Sequence, residues 1–455
     1  MVVPEKHILS KSTFLYGCQC VKRLWLHKYK PEERDEMEET QAAVFQAGTD
    51  VGKLAEQLFP GGIDARPVDT FSYQQSVADT QRYIEEGKTI IYEAAFQYEG
   101  LLCAVDILVK QQNTWVAYEV KSTTSVKDYM YQDAAFQYYV INNSGLPLED
   151  FHIVHLNNQY IRKGDLDVHA LFTKVSAKEK ILELQETIAQ KAKELKAVVA
   201  NKKQMPLIEV GEHCDKPYAC DFQGFCFADI AEEEPDYGKA QINKAAIQDF
   251  LNGLQNPLYF MDFETWSTAV PEQDGHWPYR QVCFQYSVQV QEKPNGPIIT
   301  ERAYLAEGTH SSSLLFLENL LRDLDTKGSI LVYNQTFENT RLKELASEYP
   351  QYEKKIEAVQ KRIVDLMPIF RKHYRLPEMR GSYSIKYVLP ALVPELSYED
   401  LEIGNGGDAS SAFYNLKNLT EEQEVKKLRR SLFEYCRLDT FGMLKLLEKL
   451  NIIIK

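Results

Sequence analysis

Apolar and polar positions alternate along the chain in two successive series of strands and helices. Three strand-like runs between 89 and 124, separated by Gly or Asn/Gln turns, predict an antiparallel meander. A helix over 126–145, a strand over 150–158 and a long amphipathic helix over 174–200 follow. Residues 1–60 are predicted to be largely helical and to end at a Pro-Gly break. This first series therefore predicts an α/β domain.

The second series begins with the apolar strand LYFMDFETW at 258–266. Runs at 280–291 and 299–308 are its predicted antiparallel neighbours, and a Ser-initiated helix and a buried strand at 328–334 follow. An acidic, turn-rich stretch separates the two series. We therefore predict two α/β domains, over 1–230 and 251–455, joined by a linker over 231–250.

Composition agrees with a two-domain globular protein. The 455 residues suffice for separate cores, and 44% hydrophobic with 26% charged residues is ordinary for such a chain. No run approaches the roughly 20 apolar residues of a membrane span. The N-terminus lacks a signal-peptide pattern, so a cytoplasmic location away from membranes is expected. The eight cysteines are then expected to be reduced thiols or metal ligands.

The net charge of −14 argues against a protein that simply coats a polyanion. Local basic stretches do occur. Residues 11–30 contain five Lys or Arg and no acid, and residues 361–380 contain six basic residues against two acidic ones. Solvated helix faces explain each stretch as well as a nucleic-acid contact does.

Two carboxylates in the second series suggest metal chemistry. Asp262 and Glu264 lie two apart on the predicted strand, so both side chains point to one face. Like charges at short range resist joint ionisation, and a pair of divalent ions about 4 Å apart would remove that cost. The alternative is a pair of edge-strand acids that face water, which the preceding apolar run disfavours.

Further motifs extend this pair. LVYNQTFEN places Asn334 and Glu338 at a strand-to-helix transition, and FEYCRLD places Tyr435 and Asp439 four apart on one helix face. In this order the motifs resemble the DnaQ-like DEDD exonuclease superfamily, in its tyrosine variant, over about 251–455. The resemblance implies an RNase H-like (DnaQ-like) fold and a 3′→5′ exonuclease.

That resemblance also implies residue roles. Asp262, Glu264, Glu338 and Asp439 would bind two Mg²⁺ or Mn²⁺ ions, although Glu338 stands where the family usually has Asp. Tyr435 would orient the attacking water or help to deprotonate it. The roles of two further residues are left open: Asp365 is a supplementary acid or a helix cap, and Lys386 could contact a phosphate. Aromatic residues after the first motif could form a base-stacking wedge or belong to the core: Trp266, His276, Trp277 and Phe284.

The first series carries its own acidic motif. Asp106 is followed on the next predicted strand by Glu119 and Lys121, which share one face. Two acids can bind one or two divalent ions, and a nearby lysine can lower the pKa of a water or neutralise the phosphate. A salt-bridged strand pair is the plain alternative. With the following helix, which carries Asp133, Gln137 and Tyr138, the motif resembles RecB-like PD-(D/E)XK nucleases of the restriction-endonuclease-like fold.

The cysteines extend the second resemblance. Some RecB-like and CRISPR-associated nucleases bind a 4Fe–4S cluster with one cysteine near the N-terminus and three after the nuclease core. The resemblance implies that the corresponding ligands are Cys20, Cys214, Cys220 and Cys226, with Cys18 as the rival for the first position. The spacing C-x5-C-x5-C departs from the family's C-x2-C-x5-C, and tetrahedral zinc is the alternative. Core positions are expected for Cys103, Cys283 and Cys436.

Together the motifs resemble a bacterial two-module family that joins these two nuclease domains. We expect a metal-dependent deoxyribonuclease acting on single-stranded DNA or free ends, with roles in repair, defence or spacer trimming all open. No Walker A motif is present in the sequence, so a helicase would be a separate partner, as a CRISPR or repair protein would be. RNA as the substrate is one alternative. A nucleic-acid-binding protein with one inactive module is the other.

Overall fold

The computed structural model describes residues 7–36, 39–69, 72–228, 237–293, 296–311, 313–398 and 401–455. The chain forms two compact units, and both are mixed α/β. Unit 1 comprises Met1–Ala231 and Thr268–Tyr279, and unit 2 comprises Glu232–Ser267 and Arg280–Lys455. Within the described ranges, no helix is both long enough and apolar enough to cross a membrane.

Unit 1 is built on one mixed sheet. Its strands are β1 (Leu9–Ser10), β2 (Ile63–Asp64), β3 (Ile90–Tyr98), β4 (Leu101–Gln111), β5 (Thr114–Lys121), β6 (Leu148–Leu156) and β7 (Phe172–Ser176). Its helices are α1 (Lys11–Gln19), α2 (Val21–Tyr29), α3 (Glu39–Ala55), α4 (Tyr73–Glu85), α5 (Asp128–Asn143), α6 (Val168–Leu171), α7 (Lys178–Glu183), α8 (Gln185–Ala200) and α9 (Gln223–Phe227).

The strand order of this sheet is β2-β3-β4-β5-β6-β7, and β1 pairs with β4. The predicted meander is confirmed, since β3, β4 and β5 pair in antiparallel fashion, and β6 then adds parallel to β5. Helix α5 packs on β3, β4 and β6 through an apolar face that includes Phe136 and Ile141, both fully buried. The predicted helix over 174–200 is wrong at its start, because Phe172–Ser176 pairs with β6 as a strand.

Unit 2 contains a second mixed sheet and a separate two-stranded sheet. Its strands are β8 (Gln241–Ile242), β9 (Leu258–Trp266), β10 (Val282–Gln291), β11 (Ile298–Leu305), β12 (Ser329–Val332), β13 (Ile363–Asp365) and β14 (Tyr374–Arg375). Its helices are α10 (Lys244–Gly253), α11 (Ser313–Asp323), α12 (Gln335–Glu348), α13 (Glu353–Gln360), α14 (Met367–Lys372), α15 (Ile385–Leu392), α16 (Gly406–Asn415) and α17 (Glu422–Ile453).

The main sheet has the order β11-β10-β9-β12-β13, with β9, β10 and β11 antiparallel and β12 and β13 parallel to β9. Helices α15, α16 and α17 pack together, and α16 and α17 both contact β9. The turn before β12 requires a glycine. Gly328 has φ +90°, and a Cβ there would lie 2.0 Å from the carbonyl oxygen of Pro257.

Two domain predictions need correction. The predicted linker over 231–250 overlaps helix α10, which begins at a side-chain cap from Asn243 and buries Ile247 in the core of unit 2. Residues 231–236 of that linker lie outside the described part of the chain. The segment Thr268–Tyr279 was predicted as part of the second domain but belongs to unit 1, because Ala269 and Val270 pack in a unit 1 apolar cluster.

Candidate functional site

Strand β9 presents the first two predicted ligands to one face of the unit 2 sheet. Its antiparallel register with β10 sets Asp262 opposite Ser287 and Glu264 opposite Gln285. On this polar stripe, Gln285 donates to the carbonyl of Leu432 at 2.9 Å. A buried hydrogen bond therefore ties β10, the strand paired with the acidic strand β9, to helix α17.

Helices α12 and α17 bring further polar groups into this neighbourhood. Glu338 lies in the first turn of α12 and is 1% exposed, and Asp439 and Tyr435 lie on the buried side of α17. The Tyr398 hydroxyl donates to Asp439 Oδ1. Glu338 Oε2 is buried and has no hydrogen-bond partner among the described residues. An unpaired buried carboxylate oxygen is costly, and a hydrogen-bond donor or a cation would remove that cost.

The electrostatics show that these acids share one region. Burial, followed by the charges of Asp439, Glu264 and Glu338, raises the pKa of Asp262 well above its usual range. Burial and the charge of Asp439 do the same to the pKa of Glu264. Burial raises the pKa of Glu338 to about 8 and that of Asp439 to about 6. The protein thus gathers four carboxyls where they ionise poorly.

Oxygen and sulfur atoms already lie at ligand spacing here. Atoms of Asp262, Glu264 and Cys436 lie within 4.8 Å of one another, and in the described residues this is the one such group. Cys436 Sγ is 3.8 Å from Asp262 Oδ2. Burial, together with the neighbouring acids, raises the pKa of the Cys436 thiol well above its usual range. The core positions predicted for all three remaining cysteines are confirmed: Cys103, Cys283 and Cys436 are buried.

Asp365 and Lys386, whose roles the sequence left undecided, have different surroundings in the structure. Asp365 accepts hydrogen bonds from the backbone N–H groups of Asn334, Gln335 and Met367, so it is a helix cap. Lys386 Nζ donates to the Gly404 carbonyl at 2.6 Å, and its charge favours the ionised form of Glu264. Lys386 therefore offers one positive charge to the acidic group.

Two of the four residues of the possible stacking wedge belong to the core. Trp266 and Phe284 are 2% and 1% exposed and belong to the unit 2 core, whereas His276 and Trp277 lie in the segment assigned to unit 1. For Trp266 and Phe284 the core interpretation is therefore correct.

In unit 1, the predicted pair Glu119 and Lys121 contacts two charged residues that lie on helices. Lys121 Nζ lies 2.8 Å from Glu119 Oε1 and 2.5 Å from Asp133 Oδ2. Lys11, at the start of α1, lies 2.7 Å from the same Glu119 oxygen and 3.9 Å from Asp133 Oδ1. Two lysines thus hold two buried carboxylates, and Asp106 lies beside them, accepting from Val120 N–H at 2.6 Å.

These lysines reverse the electrostatics found in unit 2. Burial opposes the ionisation of Glu119, but the charges of Lys11 and Lys121 hold its pKa at about 2. Burial also opposes the charge of Lys11, yet Asp133 and Glu119 raise the pKa of Lys11 well above its usual range. Asp106 differs, because burial and the charge of Glu119 raise its pKa. Glu119 Oε2 is buried without a hydrogen-bond partner in the described residues.

Sequence reasoning missed two members of the unit 1 site. Lys11 is 108 positions from Glu119, and a lysine in the first turn of a helix carries no signal of such a contact. Glu93 has φ +52° within β3, where it interacts electrostatically with Lys11 and Glu119. On α5, Gln137 donates to Asp133 at 3.1 Å, whereas Tyr138 packs in the core.

The four predicted cluster ligands line one cavity of unit 1: Cys20, Cys214, Cys220 and Cys226. Cys20 lies between α1 and α2. In the segment that carries the other three cysteines, the Cys220 N–H donates to the Cys214 carbonyl. The rival Cys18 lines other cavities, beside Gln132 on α5. The fold therefore brings Cys20, rather than Cys18, to the other three cysteines.

The four thiols suit both of the metal alternatives. Four thiolates bind a 4Fe–4S cluster, and they also bind tetrahedral zinc.

Comparison with known proteins gives a partial match. Residues 259–384 match a family model described as a domain of unknown function (DUF2779), and this stretch contains Asp262, Glu264 and Glu338. The chain is 29% identical over 234 residues to the "Uncharacterized protein UU173" of Ureaplasma parvum. This alignment covers 45% of this chain and 32% of that protein. The chain is 26% identical over 224 residues to the "Uncharacterized protein MG366 homolog" of Mycoplasma pneumoniae, covering 42% and 32% respectively. The matched part spans about a third of these curated relatives.

Proposed function

We propose that the protein is a metal-dependent nuclease that shortens single-stranded DNA from its 3′ end at the unit 2 site. One observation carries the proposal: Asp262, Glu264, Glu338 and Asp439 form a buried group in which at least one oxygen is unpaired. Such a group is unfavourable without cations, and a pair of divalent ions would neutralise it.

The fold of unit 2 supports this proposal. Its sheet order, with three antiparallel strands followed by two strands parallel to the first, is the order expected of an RNase H-like domain. The acids come from the first strand, from the helix after β12 and from the C-terminal helix, as the DEDD resemblance requires. Unit 1, with its E-x-K strand beside a helix, supports a PD-(D/E)XK-like assignment in the same way.

The residues of unit 2 would have different roles in the proposed reaction. The four carboxylates would hold Mg²⁺ or Mn²⁺, which supply Lewis-acid activation of water and stabilise charge on the phosphate oxygens. Tyr435 lies four residues before Asp439 on the same buried face, so its hydroxyl can orient a water beside the acids. The hydrogen bond from Tyr398 fixes the position of Asp439. The ammonium group of Lys386 can form an ion pair with a bound phosphate.

For unit 1 we propose a second nuclease site, in which Asp106 and the free oxygen of Glu119 hold a divalent ion and Lys121 faces the phosphate. The four cysteines would hold a 4Fe–4S cluster that ties the start of the chain to residues 214–226. Cys20 is the ligand to test first. Anaerobic Cys20→Ser should lose the bound iron and its visible absorbance, while Cys18→Ser should keep about four irons per chain. Zinc in place of iron in the wild type would contradict this assignment.

The nuclease proposal is tested with 5′-labelled single-stranded DNA in Mg²⁺ or Mn²⁺. Asp262→Asn keeps the side-chain shape but removes a charged ligand. We expect it to slow 3′→5′ shortening at least about 1,000-fold, since losing several kcal/mol of charge stabilisation has that effect. The matched control is Asp249→Asn, on the exposed surface of α10, which should retain wild-type activity.

Two further arms identify the substrate and the site. Lys121→Met tests unit 1, and any cleavage that this substitution alone removes belongs to the second site. A matched RNA oligonucleotide separates the alternative substrate. If wild-type protein, loaded with Mn²⁺, cuts neither DNA nor RNA, the nuclease proposal is wrong, and nucleic-acid binding is the remaining alternative.

A further inference from the structure

A cavity of about 300 Å³ in unit 2 has a lining unlike the rest of this acidic chain. Two cations, Lys239 and Arg375, and two exposed tyrosines, Tyr237 and Tyr383, line it, and none of the described lining residues is acidic. The whole chain carries 66 acids against 52 basic residues. Its volume lies at the lower end of the range for small-molecule pockets.

The tyrosines are presented to solvent. Tyr237 and Tyr383 are 40% and 42% exposed, whereas Phe370, which also lines the cavity, is 1% exposed. Arg371 places its guanidinium 5.5 Å from the centre of the Tyr383 ring. Exposed aromatic rings beside cations are the combination that binds single-stranded nucleic acid, because bases stack on the rings and phosphates pair with the cations.

The local backbone builds this arrangement. Arg380 and Gly381 have φ +48° and +71°, and the Tyr237 ring packs close to Gly381, where a Cβ would lie 3.4 Å from the ring. Arg375 lies in β14, opposite Gln241 of β8, and both residues line the cavity. The cavity thus forms where a short two-stranded sheet meets the turn before α15.

This turn leads directly to the four carboxylates. Tyr333, which follows β12, donates from its hydroxyl to the Tyr383 carbonyl at 2.7 Å. Lys386, three residues after Tyr383, favours the ionised forms of Glu264 and Asp439. The cavity rim and the acidic group are therefore joined by a few residues at the start of α15.

Among the described residues 237–242 and 370–385, Glu378 is the one acid, and it is exposed in the turn after β14. The same ranges contain five nearby cations: Lys239, Arg371, Lys372, Arg375 and Arg380. The described surroundings of the cavity therefore carry a net positive charge, while the acidic residues 232–234 and 236 lie outside the described part of the chain. A negatively charged chain with flat bases fits these surroundings better than an acidic or apolar protein segment would.

We propose that this cavity binds one or two nucleotides of single-stranded DNA, with a base stacked on Tyr383 and a phosphate on Arg375. The proposal rests on the proposed function, since it takes the strand whose 3′ end would lie at the acids. Exonuclease substrates are held by positions upstream of the cleaved bond. The cavity supplies such a position on unit 2 itself.

The test measures binding without cleavage. Fluorescence anisotropy of 5′-labelled oligo(dT) is followed with the full chain in the Asp262→Asn background, and a gel confirms that the probe stays intact. Tyr383→Ala should weaken binding about tenfold, the effect of losing one base–aromatic stack, while Tyr383→Phe should bind like the parent. The Tyr383 carbonyl still accepts from Tyr333 in both variants.

Arg375→Gln gives an independent readout. It should lower the slope of log affinity against log salt by about 0.7, the value for one phosphate contact on a single strand. Lys354→Gln, on the exposed face of α13, removes a charge away from the cavity and should leave the slope unchanged.

Each outcome decides a separate question. Unchanged binding in Tyr383→Ala and an unchanged slope in Arg375→Gln would overturn the cavity proposal while leaving the nuclease result untouched. Reduced binding in a protein that cleaves nothing would support the cavity and defeat the proposed nuclease. Tighter binding of oligo(U) than of oligo(dT) would overturn the choice of DNA.

Discussion

In unit 1, Glu119 lies within 2.8 Å of two lysines, whereas in unit 2 Glu338 is buried with an oxygen that has no partner among the described residues. The pKa values follow this difference: that of Glu119 is held at about 2, and that of Glu338 is raised to about 8. Both sites gather carboxylates on a strand and a neighbouring helix. They differ in where the compensating charge comes from.

Side chains supply most of that charge in unit 1. Under the proposed function, divalent ions would supply most of it in unit 2. A buried carboxylate with built-in partners stabilises its fold at neutral pH, and one without partners weakens the fold until a cation binds. The same residue type therefore has opposite effects on stability in the two units. This contrast can be tested directly in metal-free protein.

The largest effect is expected in unit 1. Glu119→Gln leaves Lys11 and Lys121 without their shared carboxylate, and breaking a buried ion pair of this kind costs about 3 kcal/mol of the free energy of unfolding. Hydrogen exchange of peptides from β5 and α1, followed by mass spectrometry, measures that loss locally. Glu149→Gln, on the exposed part of β6, should change it little. A loss below about 1 kcal/mol would show that the lysines are not coupled to Glu119 as described.

A pH dependence is expected in unit 2. The pKa of Glu338 is about 8 in the folded protein against about 4.3 when unfolded, so the folded state binds more protons between those values. The contribution of Glu338 to the free energy of unfolding of metal-free unit 2 should therefore fall as pH rises from 6.3 to 8, by about 2 kcal/mol. Exchange of β9 and α17 peptides in chelator measures it.

Two controls accompany this prediction. Glu338→Gln removes this titrating group and should reduce the fall by that amount, while Glu357→Gln, exposed on α13, should not. Mn²⁺ should restore stability most strongly at the higher pH, where the ligands are most easily ionised. A fall that keeps its full size in Glu338→Gln would contradict this prediction.

The smallest effect concerns competition for metal in unit 1. Lys11 holds an oxygen of Glu119, so Lys11→Met removes a cation that repels a divalent ion. Mn²⁺ affinity should rise about tenfold, equivalent to roughly 1.4 kcal/mol. Calorimetric titration in the Asp262→Asn background isolates this site, and Lys53→Met, exposed on α3, is the matched control. Lower affinity in Lys11→Met would mean that the lysine supports the metal site.

The local sequence pattern was enough to predict the strands and the residues that share one face of a strand or helix. Two-residue spacing on an apolar strand placed Asp262 beside Glu264, and the same spacing placed Glu119 beside Lys121, because side chains alternate along a strand. Four-residue spacing did the same for Tyr435 and Asp439 on α17. These relations depend only on the geometry of one element.

Contacts between distant elements were not predictable in this way. Tyr398 lies outside any helix or strand, and its bond to Asp439 joins residues 41 positions apart. Lys11 and Glu93 reach the unit 1 site through helix docking and an unusual backbone angle. Sequence periodicity reports which face of an element is apolar, and it carries no information on which polar residues meet after the elements pack.

The placement of Thr268–Tyr279 has a consequence for synthesis on the ribosome. Folding during translation usually proceeds from the N-terminal domain onward. Ala269 and Val270 pack in an apolar cluster of unit 1, and the Tyr279 hydroxyl donates to the Ser122 carbonyl. Unit 1 therefore cannot complete its native contacts until strand β9 of unit 2 has already emerged. The two units are translated as interleaved segments, and neither can be exchanged between genes as one continuous piece.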